Sequence, residues 1–365
     1  MSSPHLFTPL RVRNLQLANR IVIAPMCQYS AVDGCMTDWH AMHLGGLAQS
    51  GAGVLTIEAT AVVPEGRISD RDVGLYNDAN EAAIARTLAG IRAWSDMPIA
   101  IQLSHAGRKA SGDVPWQGQK QFAPSHERGW QTEGPSDVPY APGQVPPVAL
   151  DREGMVRVRQ AFVSAARRAY RLGLDAVQLH MAHGYLLHSF LSPLSNHRSD
   201  AYGGSLENRA RFPLEVLDAV RDVFPDRAVT VRISATDWVQ GGLTLDETVE
   251  LSRMLERHGA DAINVSTGGL HPDQQIPVSP GYQVPHAAAV KAAVSIPVVA
   301  VGLITEPAHA EAIVANGDAD LIGLARAVLY DPRWPWHAAA ALEGQAKVAP
   351  QYVRSIPHRF KASLA

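Results

Sequence analysis

Two histidines and a tyrosine follow directly after an apolar run at residues 174–179, which is typical of a buried strand. His180 and His183 stand three positions apart, and Tyr185 comes two positions later. Imidazoles can polarise a substrate oxygen or bind a metal, and a phenol can deliver a proton. Because barrel enzymes carry their chemistry at the carboxyl ends of strands, we predict a catalytic site here.

The histidine pair has three interpretations, which the spacing alone leaves open. His180 and His183 could be structural residues of a barrel rim. They could be half of a metal site, although no nearby cysteine or acidic residue completes a ligand set. They could also be two donors aimed at a substrate oxygen, with Tyr185 delivering a proton beyond them.

Arg232 lies inside an otherwise apolar run at residues 229–233. A charge inside a barrel strand is costly unless a partner neutralises it. The partner could be a carboxylate in a buried ion pair, with Glu58 and Asp175 as candidates. The alternative is that Arg232 faces a bound anionic ring, and composition favours neither interpretation.

Apolar runs of strand length recur along the chain, at residues 20–26, 54–59, 99–103, 176–179, 229–233, 262–265, 298–301 and 321–324. They lack strict alternation, which favours strands buried on both faces. Segments of helical period lie between them, at residues 78–94, 155–172, 206–224, 244–258, 284–294 and 307–316. The alternation predicts an α/β fold, a single closed TIM (β/α)8 barrel. A doubly wound sheet is the alternative, but it normally carries a glycine-rich dinucleotide fingerprint, which we do not find.

The ends of several helices carry boundary signals. Ser205 and Thr305 are placed to cap the amino ends of the helices that follow them. Gly173, Gly259 and Gly317 each follow a helical segment, as a stop signal does.

In a closed barrel, the residues that follow the strands converge on one mouth. The glycines after the sixth and seventh strands, Gly268, Gly269 and Gly302, precede Arg326 after the eighth. They fit the phosphate position common in such barrels, where free backbone N–H groups can hold an anion.

The connection after the third strand, residues 105–150, is too long for an ordinary loop. Its tryptophans and prolines favour an ordered lid over a disordered insert. Trp116 and Trp130 could pack in the core of that lid or form a wall of the substrate site, and we expect core packing for each. The barrel domain is predicted to span residues 1–343, including this insertion. Residues 344–365 form a C-terminal tail.

Composition narrows the functional class. The chain has 365 residues, a net charge of −3 and no basic block, which argues against a nucleic-acid partner. No apolar run reaches the about 20 residues of a membrane span, and the amino end shows no secretory signal. Two cysteines, Cys27 and Cys35, exclude a disulfide framework and indicate the reducing cytoplasm.

Segments throughout the chain resemble the old yellow enzyme family of flavin-dependent ene-reductases. They are NRIVIAPMCQYS (residues 19–30), EATAVVPEGRIS (58–69), QLSHAGRKA (102–110), HMAHGYLLHSFLSPLSNHRSDAYGGSLENRARF (180–212), VRISATDW (231–238), PGYQVP (280–285) and AVGLIT (300–305). The fourth segment alone is highly specific. The chain most resembles the branch that includes the xenobiotic reductases and the thermophilic-like enzymes.

The resemblance implies an eight-fold α/β barrel that binds FMN non-covalently. Cys27 is similar to a thiol that tunes the flavin potential, and Arg232 to a cation beside the part of the ring that becomes anionic on reduction. Ala59 and Gln102 match contacts to the pyrimidine end of the ring. The other implied flavin contacts are Ala24, Pro25 and Met26 along the ring edge, and Gly302, Ala325 and Arg326 at the phosphate.

The resemblance also implies the reaction. His180 and His183 would bind the carbonyl or nitro oxygen of an activated alkene, such as an enone, an enal, a maleimide or a nitro compound. Hydride would reach the β-carbon from the flavin, Tyr185 would protonate the α-carbon, and Tyr29 would contact the substrate. NADPH, with NADH as the alternative donor, would reduce the flavin first in a ping-pong cycle.

The tail resembles one that sends an arginine into the active site of the neighbouring subunit. Arg354 would be that residue, which implies a homodimer or a homotetramer.

There are three alternative functions for the chain. A metal-dependent hydrolase could use His180 and His183, but the strand ends offer no carboxylate-rich set. A dienoyl-CoA reductase relative would need an iron–sulfur site and a second nucleotide domain, for which two cysteines and 365 residues leave no room. A flavin-storage protein would need no proton donor such as Tyr185.

Overall fold

The computed structural model describes residues 3–364. Its strands are β1 (Leu10–Val12), β2 (Leu15–Leu17), β3 (Ile21–Ile23), β4 (Val54–Ala61), β5 (Ile99–Ser104), β6 (Glu133–Gly134), β7 (Val148–Ala149), β8 (Ala176–Met181), β9 (Ala228–Ser234), β10 (Ala262–Ser266), β11 (Val298–Ala300) and β12 (Leu321–Leu324). A closed barrel has the strand order β3, β4, β5, β8, β9, β10, β11, β12, and β12 pairs in parallel with β3. The predicted barrel and all eight of its strands are confirmed.

Helices follow the barrel strands. They are α1 (Asp38–Leu47), α2 (Asp78–Arg92), α3 (Arg152–Arg171), α4 (Leu186–Leu191), α5 (Leu206–Val223), α6 (Leu245–Arg257), α7 (Val284–Lys291), α8 (Pro307–Ala315), α9 (Arg326–Tyr330) and α10 (Trp334–Leu342). The main core lies between the strands and these helices, where Phe162, Phe190, Phe212 and Phe224 are fully buried. The helical segments predicted from periodicity are therefore present, whereas α1, α4, α9 and α10 were not predicted.

The predicted helix boundaries are confirmed at four of five positions. The Ser205 side chain accepts the N–H of Asn208 at the start of α5. Gly173, Gly259 and Gly317 adopt left-handed φ angles of 69°, 84° and 78°. The prediction that Thr305 caps α8 is wrong, because Glu306 is the N-cap of that helix and no side chain caps it.

A hairpin of β1 and β2 closes the amino end of the barrel. Its residues Val12 and Leu17 are buried against the first residues of the barrel strands, including Val22, Val54 and Ala100. The opposite, carboxyl end is therefore the open one.

Residues 105–150 connect β5 to α3 and contain two 3₁₀ turns and the short parallel pair β6–β7. Arg108 is 1% exposed and donates to the carbonyl oxygens of Val138 and Pro139 within the segment, at 3.3 and 3.0 Å. It also donates to the carbonyl oxygen of Leu270, beyond β10, at 2.8 Å. The segment is thus tied to the rim of the barrel.

The last helix, α10, ends at Leu342, and the tail continues through 3₁₀ turns at Pro350–Ser355 and His358–Phe360. In the range 3–364, no helix combines the length and apolarity that crossing a membrane requires.

Candidate active site

The strand register brings predicted site residues together at the carboxyl end of the barrel. His180 on β8 is the partner of Arg232 on β9, and Ala59 on β4 is the partner of Gln102 on β5. Gln102 is also the partner of Gln178 on β8, and its side-chain amide donates to the Gln178 oxygen at 2.8 Å. Gln178 was not predicted as a site residue, although it stands two positions before His180.

His180, His183 and Tyr185 form one aromatic cluster. The His180 ring lies 5.1 Å from the His183 ring and 4.7 Å from the Tyr185 ring, both edge to face. Burial, with a contribution from Arg232, lowers the pKa of both histidines well below the usual value, so both are neutral. Burial also raises the pKa of Tyr185, which keeps the phenol protonated. The phenol makes no hydrogen bond to residues in the range 3–364 and can therefore donate to a ligand.

The tautomer of His183 depends on Ser266, which was not predicted. The Ser266 hydroxyl lies 2.8 Å from Nε2 of His183 and 3.1 Å from Oε1 of Gln283. The hydroxyl has one proton to donate. If it donates to Nε2, the ring proton of neutral His183 must lie on Nδ1; if it donates elsewhere, the ring proton can lie on Nε2. In this structure the Ser266 hydroxyl donates to Oε1 of Gln283. For His183 to donate through Nδ1 to a substrate oxygen, the hydroxyl must turn and donate to Nε2 instead.

Arg232 has no carboxylate partner. Among residues 3–364, no carboxylate oxygen lies within 4.0 Å of its guanidinium group, and its buried Nε makes no hydrogen bond. Glu58 instead faces His40, and Asp175 faces Arg92. The ion-pair interpretation of Arg232 is therefore wrong. Burial lowers its pKa to about 10, which still leaves the side chain charged at neutral pH.

Cys27 and Tyr29 lie on an apolar wall of the site. Together with Tyr185 and Trp130 they pack against a small cluster made of Ile68, Ala106 and Ala110. Cys27 is half-buried, and burial, followed by the carboxylates of Asp72 and Glu58, raises the pKa of its thiol. Cys27 is therefore protonated in this environment.

The two tryptophans of the 105–150 segment have different surroundings. The Trp130 indole N–H donates to the carbonyl oxygen of Glu65 at 2.8 Å, and its ring is partly buried on the apolar wall. Trp116 is 64% exposed and meets Tyr29 edge to face at 5.9 Å. The expectation that Trp116 packs in a core is therefore wrong.

A pair of buried carboxyl groups lies behind this wall. Glu58 occupies a register irregularity of β4, between Ile57 and Ala59, and burial raises its pKa to about 8. It accepts the N–H of Gln28 at 3.0 Å, but this hydrogen bond does not outweigh the burial. Asp72, also buried, has its pKa raised to about 6. Sequence reasoning did not identify Asp72, because only the folded chain brings it near Cys27.

A cavity at the same end of the barrel collects the predicted phosphate contacts. Its lining includes Ala24, Arg232, Ser266, Gln283, Gly302, Ala325 and Arg326. Pro25 and Met26 follow Ala24 in the chain and are half-buried.

This cavity fits a flavin mononucleotide in three respects. Arg232 presents a cation with an unused N–H. Gly302 lines the cavity with a left-handed φ of 118°, and a Cβ there would lie 3.1 Å from the Gln283 side chain, so the position suits glycine. Beside the cavity rather than in its lining, Asn264 is the β10 partner of Arg232, and its side-chain amide is buried without a hydrogen-bond partner among the described residues. Asn264 was not predicted.

Lys109 is a further residue that sequence reasoning quoted within a motif without giving it a role. Its Nζ donates to the carbonyl oxygens of His183 at 2.9 Å and Gly269 at 2.7 Å. Burial lowers its pKa to about 8, with a contribution from the neighbouring Arg108. Lys109 therefore joins the turn after β8 to the turn after β10.

Arg354 is not brought to the site within one chain. It lies in the exposed Pro350–Ser355 turn, and its side chain makes no ion pair or hydrogen bond with residues 3–364. The same described range contains no group of three or more His, Cys, Asp or Glu side chains arranged to hold a metal ion.

The model of the NADH:flavin oxidoreductase / NADH oxidase family matches residues 5–345. The chain belongs to this family. An NADPH dehydrogenase of Geobacillus sp. (strain WCH70) is 41% identical over 351 residues, which cover 96% of this chain and 98% of that protein. An NADH:flavin oxidoreductase of Gibberella zeae is 43% identical over 333 residues, which cover 86% of this chain and 80% of that protein.

Among solved structures, morphinone reductase aligns with a TM-score of 0.77 at 28% identity, covering 94% of this chain and 91% of that one. The resemblance to the old yellow enzyme family is thereby confirmed. The chain is an FMN-binding oxidoreductase that takes electrons from a nicotinamide donor.

Proposed function

We propose that this flavin oxidoreductase reduces activated alkenes, namely enones, enals, maleimides and nitro compounds, in a ping-pong cycle with NADPH. The observation that carries the proposal is the cluster of two neutral imidazoles and one protonated phenol beside an unpaired arginine. Such a cluster can bind a neutral oxygen acceptor and supply one proton. NADH is the alternative donor.

FMN, when bound, supplies the chemistry of accepting a hydride from the nicotinamide and passing it to the β-carbon of the alkene. His180 and His183 hydrogen-bond the carbonyl or nitro oxygen and stabilise the negative charge that develops there. Tyr185 gives its phenolic proton to the α-carbon and regains a proton from solvent. The alkene thus gains one hydride and one proton, and the C=C bond becomes a single bond.

The remaining residues bind the cofactor and shape the pocket. Arg232 would supply the positive charge beside a bound flavin ring, and Ala59 and Gln102 would hold its pyrimidine end. Cys27 would tune the potential of the bound flavin, and Tyr29 would contact the substrate. The edge and phosphate contacts are Ala24, Pro25, Met26, Gly302, Ala325 and Arg326.

The chain is proposed to work as a homodimer or homotetramer in the cytoplasm, with Arg354 entering the neighbouring site. Residues 1–343 form the barrel domain, and residues 105–150 act as its lid. The placement of Trp130 on the wall with Cys27 and Tyr185 supports the lid. Two free cysteines, Cys27 and Cys35, support a reducing compartment.

An anaerobic absorption experiment tests this proposal. The purified protein should show flavin bands that bleach on adding NADPH and return on adding cyclohexenone. Bands that bleach but do not return with any of the four alkene classes would contradict the alkene substrate. A colourless protein that takes up no FMN would contradict the cofactor as well.

A further inference from the structure

A buried histidine–aspartate pair lies behind the turn that carries His183 and Tyr185, and the proposed reaction uses neither member. His188 on α4 and Asp237 after β9 are both fully buried, with Nε2 and Oδ1 3.0 Å apart. The contact is not aligned as a hydrogen bond, and neither of the two atoms has another polar partner among the described residues. At these two atoms, each side chain is therefore the other's only polar contact among the described residues.

The other ring nitrogen of His188 holds a backbone amide. Nδ1 accepts the N–H of Gly184 at 2.8 Å, so the proton of the neutral ring lies on Nε2, the atom that is 3.0 Å from Oδ1 of Asp237. Asp237 uses its second oxygen to accept the Ser192 hydroxyl at 2.6 Å and the Leu243 N–H at 2.7 Å. Burial alone would raise the pKa of Asp237, but His188 and these hydrogen bonds bring it below the usual value, so the carboxylate is ionised.

Gly184 is the residue between His183 and Tyr185, and this turn needs external support. His183 and Gly184 both have left-handed φ angles, 60° and 78°. A non-glycine residue persists in that region only when its surroundings fix it. The N–H of His183 donates to Ser234, and its carbonyl oxygen accepts from Lys109. The Gly184 N–H is fixed by His188.

We propose that His188 and Asp237 are positioning residues that set the orientation of Tyr185 and His183 through the Gly184 amide. The ionised Asp237 fixes the His188 ring, the ring fixes the amide, and the amide fixes the turn. This inference rests on the proposed function, because it assigns the pair to the step in which Tyr185 protonates the alkene.

Two substitutions separate this role from a general contribution to folding. H188L removes the acceptor for the Gly184 N–H, whereas H188N keeps a side-chain oxygen able to accept it but loses the contact with Asp237. In the holoenzyme, H188L should slow alkene reduction by about 10- to 100-fold, the scale expected when a reacting group is displaced by about 1 Å. Flavin reduction by NADPH needs no proton from Tyr185 and should change less than about threefold. H188N should recover most of the lost rate.

Hydrogen exchange of the peptide that contains Gly184 gives a readout independent of activity. Its amide should exchange faster in H188L than in the wild type and return toward the wild-type rate in H188N. The matched control is H258L, which removes a histidine that contacts Asp218 at the surface at 2.8 Å. That control should change neither readout.

D237N tests the same chain of contacts if H188L does not fold, because it keeps the shape of the side chain. Slower alkene reduction and faster Gly184 exchange are expected. The inference is overturned if folded, FMN-loaded D237N or H188L matches the wild type in both readouts, or slows both half-reactions equally. A wild type that bleaches with NADPH but reduces no alkene would instead contradict the proposed function, and the exchange experiment would still test the positioning.

Discussion

Burial decides the protonation states of the residues at the mouth of this barrel. It lowers the pKa of His180 and His183 and raises that of Tyr185 and Cys27, so all four are uncharged at neutral pH. Arg232 is different, since its pKa of about 10 leaves it cationic. The site therefore combines neutral donors with a fixed positive charge, which suits a substrate that becomes negatively charged only during the reaction.

Tyr185→Phe removes the proposed proton donor while keeping the ring. We expect alkene reduction to slow by about 100-fold or more, the usual contribution of a general acid. FMN content and flavin reduction by NADPH should stay unchanged, because neither needs the phenolic proton. Stopped-flow absorbance measures both half-reactions separately. Tyr140→Phe, at another half-buried tyrosine near Lys109, is the control, and an unchanged alkene rate in Tyr185→Phe would refute the assigned role.

Glu58→Gln tests the buried carboxyl group. Burial raises the pKa of Glu58 from 4.5 to about 8 in the folded chain. Its stabilising contribution is therefore complete below about pH 4.5 and is lost as the pH rises to about 8, at up to about 1.4 kcal/mol per pH unit. Urea unfolding at pH 5 and pH 8 should show a smaller loss of unfolding free energy in Glu58→Gln than in the wild type, because only the contribution of Asp72, whose pKa is raised to about 6, remains in the variant. The exposed Glu153→Gln should behave as the wild type, and parallel profiles for all three proteins would contradict the shift.

Residue roles were predictable from the sequence only where a motif carried them. His180, His183, Tyr185 and Arg232 were found because they interrupt or follow apolar runs. Ser266 follows the sixth predicted strand and Lys109 lies in a quoted motif, but neither could be given a role, and Asp72 was missed. Their partners lie far away in the sequence, so only the closed barrel brings them together. The contact between Ser266 and His183, for example, joins the end of β10 to the turn after β8.

At the scale of elements, long periodic segments were predictable and short ones were not. All eight barrel strands were found because continuous burial gives an apolar run. The helix α4 has six residues, all buried, and so shows no amphipathic period. The helix α1 was not predicted for two reasons. Gly45 and Gly46 are poor helix formers, and the capping box between Thr37 and His40 has a histidine where glutamate is usual.

Gly184→Ala tests the turn between β8 and α4. An added Cβ would lie 2.3 Å from the carbonyl oxygen of Gly269, at a φ of 78°. Gly317 after α8 has the same φ but open space around it, so Gly317→Ala isolates the backbone cost. In urea unfolding, we expect Gly317→Ala to lower the free energy of unfolding by about 1 kcal/mol and Gly184→Ala to lower it by about 3 kcal/mol.

The two glycine variants should also differ in activity. Gly184→Ala should slow alkene reduction because it displaces Tyr185, and Gly317→Ala should not. Equal unfolding free energies for the two variants would show that the close approach to Gly269 is not a constraint.

At the scale of the whole molecule, the proposed contribution of Arg354 requires a second subunit. Arg354→Ala should weaken alkene binding while FMN content stays unchanged, because the arginine would contact the substrate rather than the cofactor. Arg359→Ala, an exposed arginine of the same tail, is the matched control. Light scattering should report a dimer or a tetramer.

A complementation experiment makes this test sharper. Mixed oligomers of Tyr185→Phe and Arg354→Ala chains should regain activity, since one site then combines an intact Tyr185 with an intact Arg354 from the other chain. No recovery after subunit exchange would place Arg354 outside the neighbouring site.

The closure of the barrel has a consequence for how the chain is made. β3 gains its second neighbour only when β12 arrives, and the paired residues Ile21 and Ile322 are about 300 positions apart. During translation the first barrel strand therefore emerges with one open edge, and an open edge is a template for aggregation. Ribosome-stalled chains that end after β11 should be protease-sensitive and bound by chaperones, whereas chains extended past α10 should resist protease. The expression yield would then depend on the time between the synthesis of β3 and that of β12, during which the edge of β3 stays open.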